Sequence, residues 1–157
     1  MLSVCEGGSV IPLDPVETRD NLRVVSDIGS RLPIYCTSQG KVFLAHMSRT
    51  SAEALLRAQH MTQFTPHTIT DLTALMQEID LCRTDGYAIE NGEYKIGLRS
   101  ISAPVYTVEG KARYTVGVIG MFRSTRSDEF LAAVEQVCAT ASMISTALGY
   151  RKTEELL

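Results

Sequence analysis

Apolar and polar positions alternate in three patterns along this chain, and each predicts a different element. Near the start, Leu2-Ser-Val-Cys-Glu and Ser9-Val-Ile-Pro-Leu flank Gly7-Gly8, which predicts a hairpin over Leu2 to Val16. Pro12 and Pro15 make its second strand irregular or an edge. Leu22-Arg-Val-Val-Ser alternates and predicts a third strand. Short helices are predicted at Lys41 to Met47 and at Ser51 to Arg57, the latter with Ser51 as N-cap. A longer helix is predicted from Thr70 to Arg83. Thr70 is its expected cap, Asp71 lies in its first turn, and Leu72, Leu75, Met76, Ile79 and Cys82 recur at three and four; Gly86 closes it. Ile96 to Tyr106 and Ala112 to Phe122 read as strands around the turn Val108-Glu-Gly-Lys. Both are apolar over most of their length, which predicts cover on both faces. A helix from Ser127 to Leu148 ends the pattern, with Leu131, Val134, Cys138, Ala141 and Leu148 as its apolar stripe.

Strands, helices, strands and a helix, in that order, define an α+β domain with a mostly antiparallel sheet and helices packed on it. The 157 residues fit one domain and can bury roughly 70% of the unfolded surface, so neither a disulfide nor a metal is needed for folding. With 45% hydrophobic and 21% charged residues the composition is that of a globular chain. A net charge of −3 argues against DNA contact by this segment. No apolar run is expected to reach the ~18 residues of a membrane helix, and no secretory signal is read at Met1-Leu-Ser-Val-Cys. Cys5, Cys36, Cys82 and Cys138 are irregularly spaced, which predicts reduced thiols in a cytoplasmic protein and no structural zinc site. The chain begins almost at once in a strand, so it reads as a segment of something longer.

Candidate chemistry concentrates in two stretches. Thr37-Ser-Gln-Gly-Lys41 precedes an apolar helix. Tyr35 and Val42 occupy the positions where a nucleotide P-loop needs Gly and Ser or Thr, so that motif is excluded. Two readings remain: an N-cap by Thr37 or Ser38, or an anion site made by the free N–H groups of Ser38 to Lys41. Further along, Glu90 and Glu93 flank Asn91-Gly92, where they are either a carboxylate pair for acid–base work or solvated turn residues. Ser100 and Ser102 share one face of the next strand with Leu98, and Thr115, Gly117 and Ile119 share a face of its neighbour. Gly117 leaves room beside the strand. Cys36 lies just ahead of a helix start, where a thiol can be activated, although buried packing is its ordinary role. His46, His60 and His67 lack metal-ligand spacing, and Arg31, Lys41 and Arg99 read as solvated or locally paired charges.

Several blocks at a consistent spacing carry a resemblance to a known family. Gly29-Ser-Arg-Leu-Pro with Gly40-Lys-Val-Phe-Leu-Ala45, Phe64-Thr-Pro-His-Thr-Ile-Thr70, and Gly86-Tyr-Ala with Gly97-Leu-Arg-Ser-Ile-Ser-Ala-Pro-Val105 resemble the effector-binding domain of the isocitrate lyase regulator (IclR) family. The resemblance runs over nearly the whole chain. It implies a GAF/PAS-like fold and a pocket for a small metabolite, often an organic acid. It also implies assembly into dimers or tetramers, and an upstream winged helix-turn-helix domain that binds DNA and is not in this sequence. The family's pocket positions map onto Leu32, Ser38, Gln39, Glu90, Leu98, Ser100, Gly117 and Ile119. Many members carry aspartate at position 90 and cysteine at 100, and some carry serines at 117 and 119. Gly117 and Ile119 therefore imply a less polar wall and an effector other than a simple two-carbon acid. Glu90 is expected to accept from a hydroxyl or amine of the effector. No cofactor, metal or membrane partner is expected. The first reading is a non-enzymatic sensor. The alternatives are a redox enzyme using Cys36 or Cys82, and a generic GAF-type module for a cyclic nucleotide or chromophore.

Overall fold

The computed structural model describes residues 1–14 and 28–151. The strand expected at Leu22 to Ser26 and the end of the first hairpin lie outside them. Six strands form one sheet: β1 (Leu2–Glu6), β2 (Ser9–Asp14), β3 (Leu32–Pro33), β4 (Ala88–Asn91), β5 (Arg99–Tyr106) and β6 (Ala112–Gly120). Their order is β3-β2-β1-β6-β5-β4, and every neighbouring pair is antiparallel. Four helices pack on the sheet: α1 (Ser38–Ala45), α2 (Arg49–Ala58), α3 (Leu72–Asp85) and α4 (Asp128–Ala147).

The two faces of β5 explain the layering. Ile101, Ala103 and Val105 are buried under Phe130, Val137 and Ala141 of α4. Ser100 and Ser102, the alternate residues, face the opposite side, where Ser102 meets Ser38 of α1. On that side Val10, Ile34, Val42, Leu44, Leu56, Leu75 and Ile79 join α1, α2 and α3 into the larger core. All eight residues of α1 are buried, so it is a central helix. Three of them, Ser38, Gln39 and Lys41, are polar and must find partners inside the domain. Gly40 is where α1 crosses closest to the chain before it: a β-carbon there would run into the backbone of Ile34.

Several boundaries differ from the sequence reading. The second helix starts at Arg49, and Ser48, not Ser51, caps it by accepting from the Ser51 N–H. Asp71, not Thr70, caps α3 through a 2.8 Å bond from the Ala74 N–H. Gly86 ends α3 in the left-handed region, as expected. Strand β5 starts at Arg99, leaving Ile96 72% exposed. Strand β6 is buried at Thr115 and Gly117 on one face, while on the other Tyr114 and Val116 pack half-buried against the α4 core and Val118 is exposed. The buried stripe of α4 is Phe130, Val137, Ala141 and Ser145, while Leu131 and Leu148 point outward. By length and composition α4 could also cross a bilayer, with a mean hydropathy of 1.3, contrary to the expectation that no stretch comes near that length. Its contacts with β5 account for its apolar side within the domain.

Candidate functional site

The polar residues of α1 lead to the site. Thr37 caps the helix: its hydroxyl accepts from the Gly40 N–H at 3.2 Å and donates to the Pro33 carbonyl at 2.8 Å. This is the N-cap reading, and it leaves the N–H groups of Ser38 and Gln39 without a partner among the described residues. The Ser38 hydroxyl lies 2.8 Å from that of Ser102 and 3.4 Å from the Gln39 side-chain oxygen. A helix start with two free donors therefore meets β5 through the Ser38 and Ser102 hydroxyls.

Strand register adds the carboxylate. Glu90, Ser100 and Ile119 form one row across β4, β5 and β6; Ala88, Ser102 and Gly117 form the next. The Glu90 Oε2 accepts from the Ser100 hydroxyl at 3.2 Å, and its Oε1 accepts from the N–H groups of Glu93 and Tyr94 at 2.5 and 3.1 Å. Three of the roughly four lone-pair positions of this carboxylate are thus taken within the domain. Burial pushes the Glu90 carboxyl above its ordinary range, and the hydrogen bonds it accepts oppose that rise.

Behind this row, the Lys41 ammonium is 1% exposed and donates to Glu93 Oε1 at 2.6 Å, to the Ile89 carbonyl at 3.2 Å and to Glu78 Oε2 at 3.5 Å. The pair corrects the reading of Glu90 and Glu93 as solvated turn residues, since they are 2% and 5% exposed. Burial raises the Glu93 carboxyl, against the lowering effect of Lys41.

Of the eight residues mapped from sequence, Ser38, Gln39, Glu90, Ser100 and Gly117 are buried together at the α1 start and on the facing strands. Ile119 stands half-buried beside Ser100. Leu98 precedes β5 and its carbonyl accepts from the Gly92 N–H. Leu32, on β3 at the opposite end of the sheet order from β4, pairs with Val10 and packs half-buried against the larger core. Gly117 does not leave open room: a β-carbon there would overlap the Ser102 hydroxyl and the Ile101 carbonyl. Ser102 was absent from the mapped set although it shares the face of Ser100, and only the contact with Ser38 singles it out.

The thiols are poor nucleophiles. Burial, with the nearby Glu93 and Glu90 charges, pushes Cys36 up to about 12, and burial pushes Cys82 up to about 12. Among the described residues no group of three or more His, Cys, Asp and Glu is placed to hold a metal ion.

A six-stranded antiparallel sheet with helices on both faces and a buried polar cluster at a helix start is a GAF/PAS-like domain. The model of the bacterial transcriptional regulator IclR C-terminal family matches residues 1–146, and the chain belongs to that family. The HTH-type transcriptional repressor AllR of Escherichia coli (strain K12) is 27% identical over 150 residues, which are 96% of this chain and 55% of that protein. The chain thus spans about half the length of the curated relatives it matches. A putative transcriptional regulator, RHA06195, from Rhodococcus sp. RHA1 superposes with a TM-score of 0.88 at 28% identity, covering 94% of this chain and 60% of that one. The Agobacterium tumefaciens repressor BlcR superposes at 0.86 with 29% identity, covering 96% and 60%.

Proposed function

We propose that the chain is the ligand-sensing part of an IclR-type transcriptional regulator. It binds a small organic acid, and occupancy controls DNA binding by a winged helix-turn-helix domain of the full-length protein. The observation that carries this reading is the α1 start. Its free Ser38 and Gln39 N–H groups suit a carboxylate, and the Ser38–Ser102 hydroxyl pair and the Ser100 oxygen lie on the strand beneath. Because Ser100 donates to Glu90, it presents lone pairs to a ligand, and so favours an acid that also carries a hydroxyl or amine. The names of AllR and BlcR as repressors support the regulatory half of the reading. The catalytic alternative lacks an activated thiol, since burial disfavours the thiolate of Cys36 and Cys82.

A thermal-shift panel of small organic acids is the direct test. A ligand at 100 times its Kd stabilises by about 2.7 kcal/mol. Converting the carboxylate of a hit to its amide is expected to weaken binding at least tenfold, or about 1.4 kcal/mol. Equal affinity of acid and amide would remove the anion site from the proposal.

Assembly follows from α4. Leu131 and Met143 of α4 and Leu148 at its end are exposed at 50%, 72% and 45%, and Glu135 is the sole charge between Phe130 and Ala147, which supports association with a second copy. The isolated chain is expected to sediment as a dimer or larger at micromolar concentration. A 17.2 kDa species at every concentration overturns that expectation.

A further inference from the structure

We infer that the effector site continues past Ser102 onto β6 and β1, where Thr115 and Ser3 receive a second, uncharged polar group at the end of the ligand opposite its carboxylate. The inference rests on the effector reading above and names the class of ligand. Ser3 and Thr115 are direct cross-strand neighbours. Thr115 lies two residues from Gly117, so both share the face of Ser102. Each is 0% exposed, and neither hydroxyl has a hydrogen-bond partner among the described residues. Other buried hydroxyls of the domain, those of Ser38, Thr65, Thr68, Ser100 and Ser145, are all bonded. Two unpaired hydroxyls side by side, next to the proposed site, are the exception, and buried polar groups are left unpaired at a cost that function has to explain.

The chemistry of the row fixes what can bind there. Pro104 pairs with Thr115 on one side and Pro12 pairs with Ser3 on the other, so the two hydroxyls stand between side chains that neither donate nor accept. The row itself carries no charge to balance a second carboxylate or an ammonium, and the Met1 ammonium at the start of β1 already donates to the Gly117 carbonyl at 2.8 Å. Each hydroxyl can both donate and accept, which suits an alcohol or an amide. Diagonal neighbours across an antiparallel pair are about 7–8 Å apart, which sets the distance from Ser102 to Thr115. With its carboxylate at the α1 start, a ligand needs about that reach past Ser102, so acids of five carbons are the probes.

Titrating the protein with pentanoate, 5-hydroxypentanoate and glutarate, followed by amide NMR shifts, tests the assignment. The hydroxy acid is expected to bind at least fivefold tighter than pentanoate, and glutarate more weakly than the hydroxy acid. Thr115→Val, which keeps shape and removes the hydroxyl, and Ser3→Ala are each expected to bring the ratio of the two monoacids close to one, with melting temperatures at or above the parent's. Equal binding of pentanoate and 5-hydroxypentanoate by the parent overturns the extension and leaves the effector reading standing. Binding of none of the three acids also overturns the extension, while the effector reading is decided by the thermal-shift panel. A ratio unchanged in Thr115→Val, or a crystal structure of the complex with a water instead of the ligand oxygen between Ser3 and Thr115, also overturns the extension.

Discussion

Lys41→Met is expected to remove about 3–5 kcal/mol of folding stability, the penalty for stranding a buried partner charge. The ammonium is 1% exposed and has three acceptors: the Glu93 carboxylate, the Ile89 carbonyl and Glu78. Methionine fills the same volume, so packing is largely kept and the loss is electrostatic. Glu93 suffers most, since its Oε2 has no partner even in the parent. The double variant Lys41→Met/Glu93→Met removes both charges and is expected to recover most of the loss. Urea unfolding of the parent, both single variants and the double variant gives the coupling. A loss under 1 kcal/mol for Lys41→Met alone would mean that water, not the protein, solvates the pair. The loss is expected to shrink in acid, where Glu93 can take up a proton and cease to be a stranded charge. Because α1 also carries Ser38 and Gln39, the same pair holds the helix start against β4 and β5.

Local order was legible where a residue acts on its own neighbours. Gly86 marked the end of α3, and Ser127 caps α4 within one residue of the expected start. Competing caps were harder: Thr70 and Asp71 are adjacent and both suitable, and the backbone phase that chose Asp71 is set by packing. Strands β3 and β4, two and four residues long, are too short to show a period. The stripe of α4 was right at Val134, Cys138 and Ala141, which pack against the β5 core, and wrong at Leu131 and Leu148, because apolar residues also lie outside the contact and pattern alone could not set its edges. Lys41 was read as an ordinary charge because one sequence position carries no sign of the two carboxylates that α3 and the β4 turn bring to it. In the site, the mapped residues Glu90 and Ser100 converge through strand register and Ser38 meets the same strand from α1, which resemblance could anticipate. Ser102, Ser3 and Thr115 required the register itself, since their significance lies in which hydroxyls have partners and which do not.

Glu90 separates a structural carboxylate from a ligand-binding one. Glu90→Ala is expected to cost about 1–3 kcal/mol for each backbone N–H it leaves buried and unpaired, those of Glu93 and Tyr94, and so roughly 2–6 kcal/mol together. Glu90→Gln keeps an oxygen for both N–H groups and is expected to stay folded. Its stability should differ from the parent's in a pH-dependent way. Burial raises the Glu90 carboxyl in the folded state above its unfolded value, so the folded parent binds this proton more tightly than the unfolded chain does. The stabilisation from that proton is fully present below the unfolded value and is lost as pH rises through the folded one. Glutamine never ionises, so the stability of Glu90→Gln relative to the parent is expected to increase from acid toward neutral pH, while the raised Glu93 carboxyl leaves a residual slope in both proteins. Urea unfolding of parent and variant across pH 4.5 to 8 measures the difference. A relative stability that does not change with pH would show that the folded protein holds Glu90 at its unfolded pKa. Binding of an effector found in the thermal-shift panel adds the functional half. If Glu90 acts by holding Ser100 with its lone pairs toward the ligand, Ser100→Ala should cost about 1–3 kcal/mol of affinity with little loss of stability. Glu90→Gln should then cost about as much affinity as Ser100→Ala, because its amide oxygen stays with the Glu93 and Tyr94 N–H groups and its NH2 donates to Ser100, which turns the hydroxyl proton toward the ligand. A Glu90→Gln variant that binds like the parent would mean that the direction of the Ser100 hydroxyl does not matter to the ligand.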